Sequence, residues 1–255
     1  MQWYCHDCFH RMLPGATAGG IAVVIDVLRA STTIATALAH GASAVLPRRS
    51  IDEALAARAD YPGALLGGER GGVRIAGFDL GNSPAEYAAE RVAGRPVVIT
   101  TTNGTAALAA CHDAAEVLVG AMVNRAAVAA AARRLASAQN SAAIHLVCAG
   151  TDGLVTDEDV LAAGAILDAA GSDPAAVHDT LDPAARAARR LYRDLAATGR
   201  DGLAARIALA FRTCRGGENL LALGMEADLA AAAAIDSLAM VPRLDRRGEV
   251  LVACE

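Results

Sequence analysis

The sequence contains no lysine: all 23 of its positively charged side chains are arginine. That absence removes several kinds of chemistry. There is no P-loop lysine, no lysine to carry a pyridoxal phosphate Schiff base, and none for a phosphatase of the haloacid-dehalogenase type. An anionic ligand must be held by arginine forks, a metal, hydroxyls or backbone N–H groups. Arginine favours planar, bidentate contact with carboxylate- or phosphate-like groups. Aromatic residues are also scarce, at 3% against 54% hydrophobic residues overall. Ala and Val therefore build much of the core, which suits helices packed closely on a sheet. No apolar run reaches the roughly 20 residues that span a bilayer, and the first residues lack the charged-then-apolar layout of a signal peptide. A soluble, cytoplasmic protein with no membrane partner is expected. The net charge of −5 leaves no basic footprint, so nucleic acid is not an expected partner either. The six cysteines, at 5, 8, 111, 148, 214 and 254, are too sparse for a disulfide scaffold and are expected to be reduced.

What is present is an alternation of short apolar runs and helical patterns. With 255 residues the chain suffices for one large or two small domains. Ile21–Ile25, Ala44–Leu46, Ala64–Leu66, Pro96–Ile99, Val117–Val119 and Ile144–Val147 read as buried strands, short and rich in β-branched residues. Helices are predicted at Ser31–Ala39, Ile51–Ala59, Ala85–Val92 (opened by Ser83 as N-cap and Pro84) and Arg125–Ala136 (capped by Asn124). This order predicts an α/β fold with a mostly parallel sheet and helices on both faces. After about residue 155 the chain turns helix-rich, with Thr156–Ala170, Pro183–Ala197, Leu203–Arg212, Asn219–Leu223 and Glu226–Ile235, then late strands at Leu238–Val241 and Val250–Ala253. Residues 1–155 are expected to form an α/β phosphate-binding half. Residues 156–255 would pack on or cap the sheet, as a second unit or as part of one continuous domain. The Ala-rich surface also allows a homodimer.

Polar clusters follow the predicted strands, and in an open parallel sheet they would meet at one edge, where ligands bind. After Val97-Val98-Ile99 comes Thr100-Thr101-Thr102-Asn103-Gly104-Thr105 and then a helical stretch, the layout of an anion cradle. Asp26-Val27-Leu28-Arg29-Ala30-Ser31-Thr32-Thr33 follows the first strand; Asp26 stands where α/β folds place metal-binding carboxylates, although it or Ser31 would serve equally as a helix cap. Gly67-Gly68-Glu69-Arg70-Gly71-Gly72 sets an acid and a base among glycines that let backbone approach a ligand. Gly77-Phe78-Asp79-Leu80-Gly81-Asn82-Ser83-Pro84 also reads as ordinary turn chemistry. Cys148-Ala149-Gly150-Thr151-Asp152-Gly153 has the outline of a thiol nucleophile at a strand-to-helix bend, but no nearby His activates it. Glu158 and Asp159 open the next helix, facing the same edge or complementing the dipole. Cys5, Cys8 and His10 resemble half of a zinc site without the other half. Cys5 and Arg11 match the spacing of cysteine-dependent phosphatases, but lack the glycines of a phosphate cradle.

Taken in order, the motifs at 26–34, 67–70, 77–84, 100–105 and 148–151 resemble those of the 2-phosphosulfolactate phosphatase family, from about residue 21 to 242. Glu218-Asn219-Leu220, the Asp228 stretch and Val241-Pro242 belong to the likeness; the Cys/His-rich start does not. The resemblance implies an α/β, Mg²⁺-dependent hydrolase that converts 2-phospho-3-sulfolactate to 3-sulfolactate and phosphate, a step toward coenzyme M. On that reading Asp26, with Glu69 or Asp79, holds Mg²⁺ against the phosphoryl group. Asp26, Glu69 and Cys148 are the candidate catalytic residues. Arg29, Ser31, Thr32, Arg70, Asn82, Ser83, Thr101, Thr102, Asn103, Gly104, Thr105, Gly150 and Thr151 are the candidates for binding a small anionic substrate. The rivals are a Cys148-dependent acyl or amide hydrolase and a non-catalytic binder of a phosphorylated or sulfonated metabolite.

Overall fold

The structure, a computed structural model, describes residues 1–141, 143–199, 201–245 and 250–254, with only the main chain at residue 174. Among these the strands are β1 (Gln2–His6), β2 (Ile21–Ile25), β3 (Ala44–Pro47), β4 (Leu65–Arg70), β5 (Val73–Arg74), β6 (Pro96–Thr100), β7 (Glu116–Gly120), β8 (Ala143–Cys148), β9 (Thr180–Leu181), β10 (Pro242–Leu244) and β11 (Leu251–Ala253). The helices are α1 (Ala30–Ala39), α2 (Ile51–Asp60), α3 (Ala89–Val92), α4 (Gly104–Ala110), α5 (Arg125–Ala138), α6 (Asp157–Ala170), α7 (Pro183–Ala196), α8 (Leu203–Phe211), α9 (Arg215–Ala222) and α10 (Ala227–Ala232). No helix among the described residues is long and apolar enough to cross a membrane.

All but one of the expected strands form, within a few residues of their predicted ends, and the α/β class holds. Three strands were not foreseen: β1, β5 and β9. The late strand expected at Leu238–Val241 forms instead at β10, because Val241 is followed by the residues that pair with β11. Two expected caps do not form. After Ser83 the chain makes a 3₁₀ turn, Pro84–Glu86, before the short α3, and Ser83 Oγ donates to Asp228 rather than to a helix N–H. Asn124 is fully buried and ties strands instead: its Oδ1 accepts the Ala121 N–H at 2.9 Å, while Nδ2 donates to Val119 O and Met240 O.

All the strands join one mixed sheet, in the order β5-β4-β6-β3-β11-β10-β7-β2-β8-β1-β9. Two parallel blocks, β4-β6-β3 and β7-β2-β8-β1-β9, are joined by the antiparallel hairpin β10–β11. The hairpin meets β3 and β7 in antiparallel sense too. Three antiparallel steps therefore separate the blocks, and in a flat sheet the carboxyl ends of β2 and β6 would lie at opposite edges. Here they meet: a Cβ added to Gly104, just past β6, would lie 2.7 Å from Asp26 Oδ2, just past β2. The expected single edge of an open parallel sheet is therefore replaced by a convergence of carboxyl ends from the two blocks.

The packing shows what lies between the blocks. Strand side chains alternate between faces. Ala22 and Val24 of β2 share a core with Val45, Val97 and Ile99 of the other block, and α1 (Ile34, Leu38) and α4 (Ala107, Leu108) fill it. The opposite face of β2, with Ile21, Val23 and Ile25, packs under α5, α6 and the later helices. Leu46, Leu66 and Val98 of the first block face α2 through Ala54 and Ala57. Helices thus lie outside both blocks and between them. Each fully buried Ile or Leu in these layers contributes about 1.5–3 kcal/mol.

Candidate active site

Four chain segments from the two blocks come together. Asp26 follows β2, Glu69 ends β4, Thr102 and Asn103 follow β6, and Thr151 follows β8; with Arg29 and Asn82 they line a cleft of about 440 Å³. The start of α9, through Gly216 and Asn219, forms a further wall. A larger hollow of about 620 Å³ lies by α2 and α4, but of the predicted residues it holds only Thr105. Convergent chemistry, not volume, marks the site.

Asp26 is 9% exposed and its Oδ1 accepts the Ala30 N–H at 3.2 Å. Burial, followed by the nearby Asp159 carboxylate and then Glu69, pushes its pKa up to about 8, against the pull of the Ala30 N–H and Arg29. Ser31 Oγ accepts the Asp26 N–H at 2.9 Å and Thr32 Oγ1 donates to Val27 O, so both hydroxyls shape this turn from behind. Glu69 is held in place: Oε1 accepts the Thr102 N–H at 2.8 Å and Thr102 Oγ1 at 3.0 Å, and Oε2 accepts the Gly72 N–H at 2.8 Å.

The threonine cradle is built differently from expectation. Thr101 Oγ1 accepts the Thr105 N–H and Thr105 Oγ1 donates to Thr101 O, so these two close the turn on itself. Thr102 serves Glu69. Arg70 lies beside the cleft and donates to Thr100 Oγ1 and to Glu69 O. Among the described residues nothing accepts from the N–H groups of Asn103 and Gly104, which open α4 beside Asp26. Backbone donors, rather than the hydroxyls, are therefore what this loop offers an anion.

Arg29 is 3% exposed and already engaged. Nη1 donates to Asp228 Oδ2 at 2.8 Å and Nη2 to Gly72 O at 2.7 Å. Ser83 lies on that same acid, its Oγ 2.6 Å from Asp228 Oδ1, and does not line the cleft. Asn82 does line it, and its Oδ1 is a buried acceptor with no donor. Gly150 needs its left-handed backbone (φ 66°) and gives its N–H to Asp159 Oδ2 at 2.9 Å.

The predicted metal ligand Asp79 and the predicted nucleophile Cys148 also fall outside. Asp79 stands off the cleft: Oδ2 accepts the Leu66 N–H at 2.9 Å and pairs with Arg58 at 3.5 Å, closing the turn beside β4. Cys148 is fully buried at the end of β8, and a hydrogen bond with Cys5, together with burial, raises its thiol well above the ordinary range. Fully buried and off the cleft lining, this thiol stands away from where a nucleophile would meet a ligand. Sequence reasoning did not foresee the contacts of Asp159 and Asp228 or the place of α9 in the cleft wall: Glu218-Asn219-Leu220 and the Asp228 stretch entered only through the family likeness, and Asp159 only as an acid opening a helix, which the dipole explains equally well.

The cleft offers oxygen donors in Asp26, Glu69 and the unpaired Asn82 Oδ1, the hard ligands that Mg²⁺ prefers. Among the described residues no three His, Cys, Asp or Glu side chains are grouped to cage a metal by themselves. One or two carboxylates completed by ligand and water is the usual arrangement for Mg²⁺, so the residues fit that ion.

An α/β fold that gathers carboxylates, an arginine and open backbone N–H groups at strand ends defines an enzyme class acting on small anionic molecules. The sequence profile described as 2-phosphosulpholactate phosphatase matches residues 9–247. Proteins named "Probable 2-phosphosulfolactate phosphatase" are similar over most of their length. That of Deinococcus radiodurans is 43% identical over 235 residues, 91% of each chain. That of Symbiobacterium thermophilum is 43% identical over 229 residues, 88% of this chain and 91% of its own. That of Thermotoga petrophila is 39% identical, covering 88% of each. The chain belongs to the 2-phosphosulfolactate phosphatase family.

Proposed function

We propose that this chain hydrolyses 2-phospho-3-sulfolactate to 3-sulfolactate and phosphate, with Mg²⁺ as cofactor. The observation that carries the reading is the meeting of Asp26, Glu69 and the free Asn103 N–H in one cleft, with the free Gly104 N–H packed beside Asp26, within a family match that spans nearly the whole chain. Asp26 and Glu69 would hold the ion, with Asn82 Oδ1 as a third oxygen; Asp79 is not part of this set. A bound Mg²⁺ supplies charge neutralisation at the phosphoryl oxygens and a water of lowered pKa.

The chain's own groups do the rest. Backbone N–H groups at 103 and 104 receive one anionic oxygen. Thr102 and Gly72 keep Glu69 turned into the cleft. Arg29, paired with Asp228 and bonded to Gly72 O, holds the wall beside Asp26 in a fixed shape. Water attacks phosphorus, the ester P–O bond breaks, and the released 2-hydroxyl keeps its carbon framework intact. No covalent enzyme intermediate is invoked.

The test is release of phosphate from 2-phospho-3-sulfolactate and from simple phosphomonoesters, with Mg²⁺ and after chelation. Turnover that requires Mg²⁺ and falls on the order of 100-fold in Asp26→Asn is expected. Binding of the substrate without Mg²⁺-dependent release would instead establish the non-catalytic reading.

A further inference from the structure

The cleft walls come from distant parts of the chain, yet two adjacent side chains touch three of them. Asp159 Oδ1 accepts the Val27 N–H at 2.8 Å, in the loop that carries Asp26 and Arg29. Its Oδ2 accepts the Gly150 N–H at 2.9 Å, in the loop that carries Thr151. Glu158 Oε1 accepts the Gly216 N–H at 3.0 Å, in the first turn of α9. Both acids are almost wholly buried, at 3% and 2% exposure. Burying a carboxylate is costly unless its partners require it; Gly216 lines the cleft itself, and Val27 and Gly150 each stand next to residues that do. Helix α6 behind them is a firm base: ten of its residues are buried, and Gly164 lets the α7 backbone at Ala188 come into direct contact.

We propose that the first turn of α6 fixes the spacing of the cleft walls, with Asp159 the positioning residue for the 26–29 and 148–152 loops and Glu158 that for the start of α9. Asp159 acts through Val27 and Gly150; it is not assigned a place against the substrate. The kinetic part of the test rests on the activity proposed above, and the exchange part does not.

Amide hydrogen exchange on the full chain, wild type against Asp159→Ala, reads the two loops separately. The Val27 and Gly150 amides should lose protection together, by about tenfold or more, while amides in β2, β8 and the body of α6 keep theirs. Glu158→Ala should expose Gly216 alone, and Glu158→Gln, which retains an acceptor oxygen, should restore it. In parallel, kcat for 2-phospho-3-sulfolactate should fall about 100-fold in Asp159→Ala, with KM changed far less. Should Asp159→Ala not fold, Asp159→Asn keeps one acceptor and must then deprotect one of the two loops. Unchanged exchange at Val27 and Gly150, uniform loss of protection across the chain, or a full kcat alongside loosened loops would each overturn the proposal. If the wild type itself releases no phosphate, the activity proposed above fails, and the exchange result still decides the role of Asp159.

Discussion

A methyl group added at Gly104 would sit 2.6 Å from Ala30 Cβ and 2.7 Å from Asp26 Oδ2. That missing atom lets the turn after β6 close onto the turn after β2. Gly104→Ala should destabilise the protein by about 1–3 kcal/mol, read by urea unfolding, and should lower turnover more than it lowers stability, since the displaced group is Asp26. Cys148 gives the opposite expectation. Cys148→Ala removes only a buried thiol that does not line the cleft, so phosphate release by the folded variant should stay near the wild-type rate; abolished turnover would restore the cysteine reading. These two residues also show how far the sequence was legible. Asp26, Arg29, Glu69 and Asn103 were visible because each follows an apolar run, where strand ends expose polar groups. Asp159 and Asp228 were not, because a lone acid on a helix explains itself, and their partners Val27 and Arg29 lie 132 and 199 positions away.

Among the elements, β1 was the least legible: Trp3 and Cys5 point inward, but Gln2 and His6 flank them and the Cys/His spacing suggested metal chemistry instead. Its pairing with β8 sets Tyr4 opposite His145 and His6 diagonal to it; both rings stack with His145, and His6 Nε2 lies 3.1 Å from His145 Nδ1. Burial pushes His145 down to about 4 and lowers His6 from the ordinary 6.5, while Asp182, Asp7 and Asp113 pull the other way. The folded state thus holds fewer protons than the unfolded chain in this range. The pair's contribution is complete above about pH 6.5 and is lost as pH falls toward about 4. The buried acids Asp26 and Asp159 have raised values and act with the opposite sign, so the comparison must be with a variant. The melting temperature of His145→Gln should fall less between pH 6.5 and 4.5 than that of the wild type. Equal pH dependence would show that the pair is protonated in the fold at no cost.

At the scale of the whole molecule, the α/β class was readable from the alternation of runs, but the meeting of the two blocks' carboxyl ends was not. It depends on a short hairpin with few residues and on single bridges, Arg243 to Leu118 and Leu251 to Val45. Leu251 is fully buried in the core shared by both blocks. Leu251→Ala should cost about 2–5 kcal/mol, and unfolding should remain one transition, because the blocks share α1 and α4; two transitions would show that they are separate units. The hairpin has a further consequence, in the order of synthesis. The strands that join the two blocks, residues 242–253, are translated after every other strand of the sheet. A ribosome can release both blocks and nearly all of the cleft residues before the seam between them exists. A nascent chain halted before residue 242 would therefore carry Asp26 and Glu69 on halves with no strand between them, and catalytic competence would come only with the last strands made.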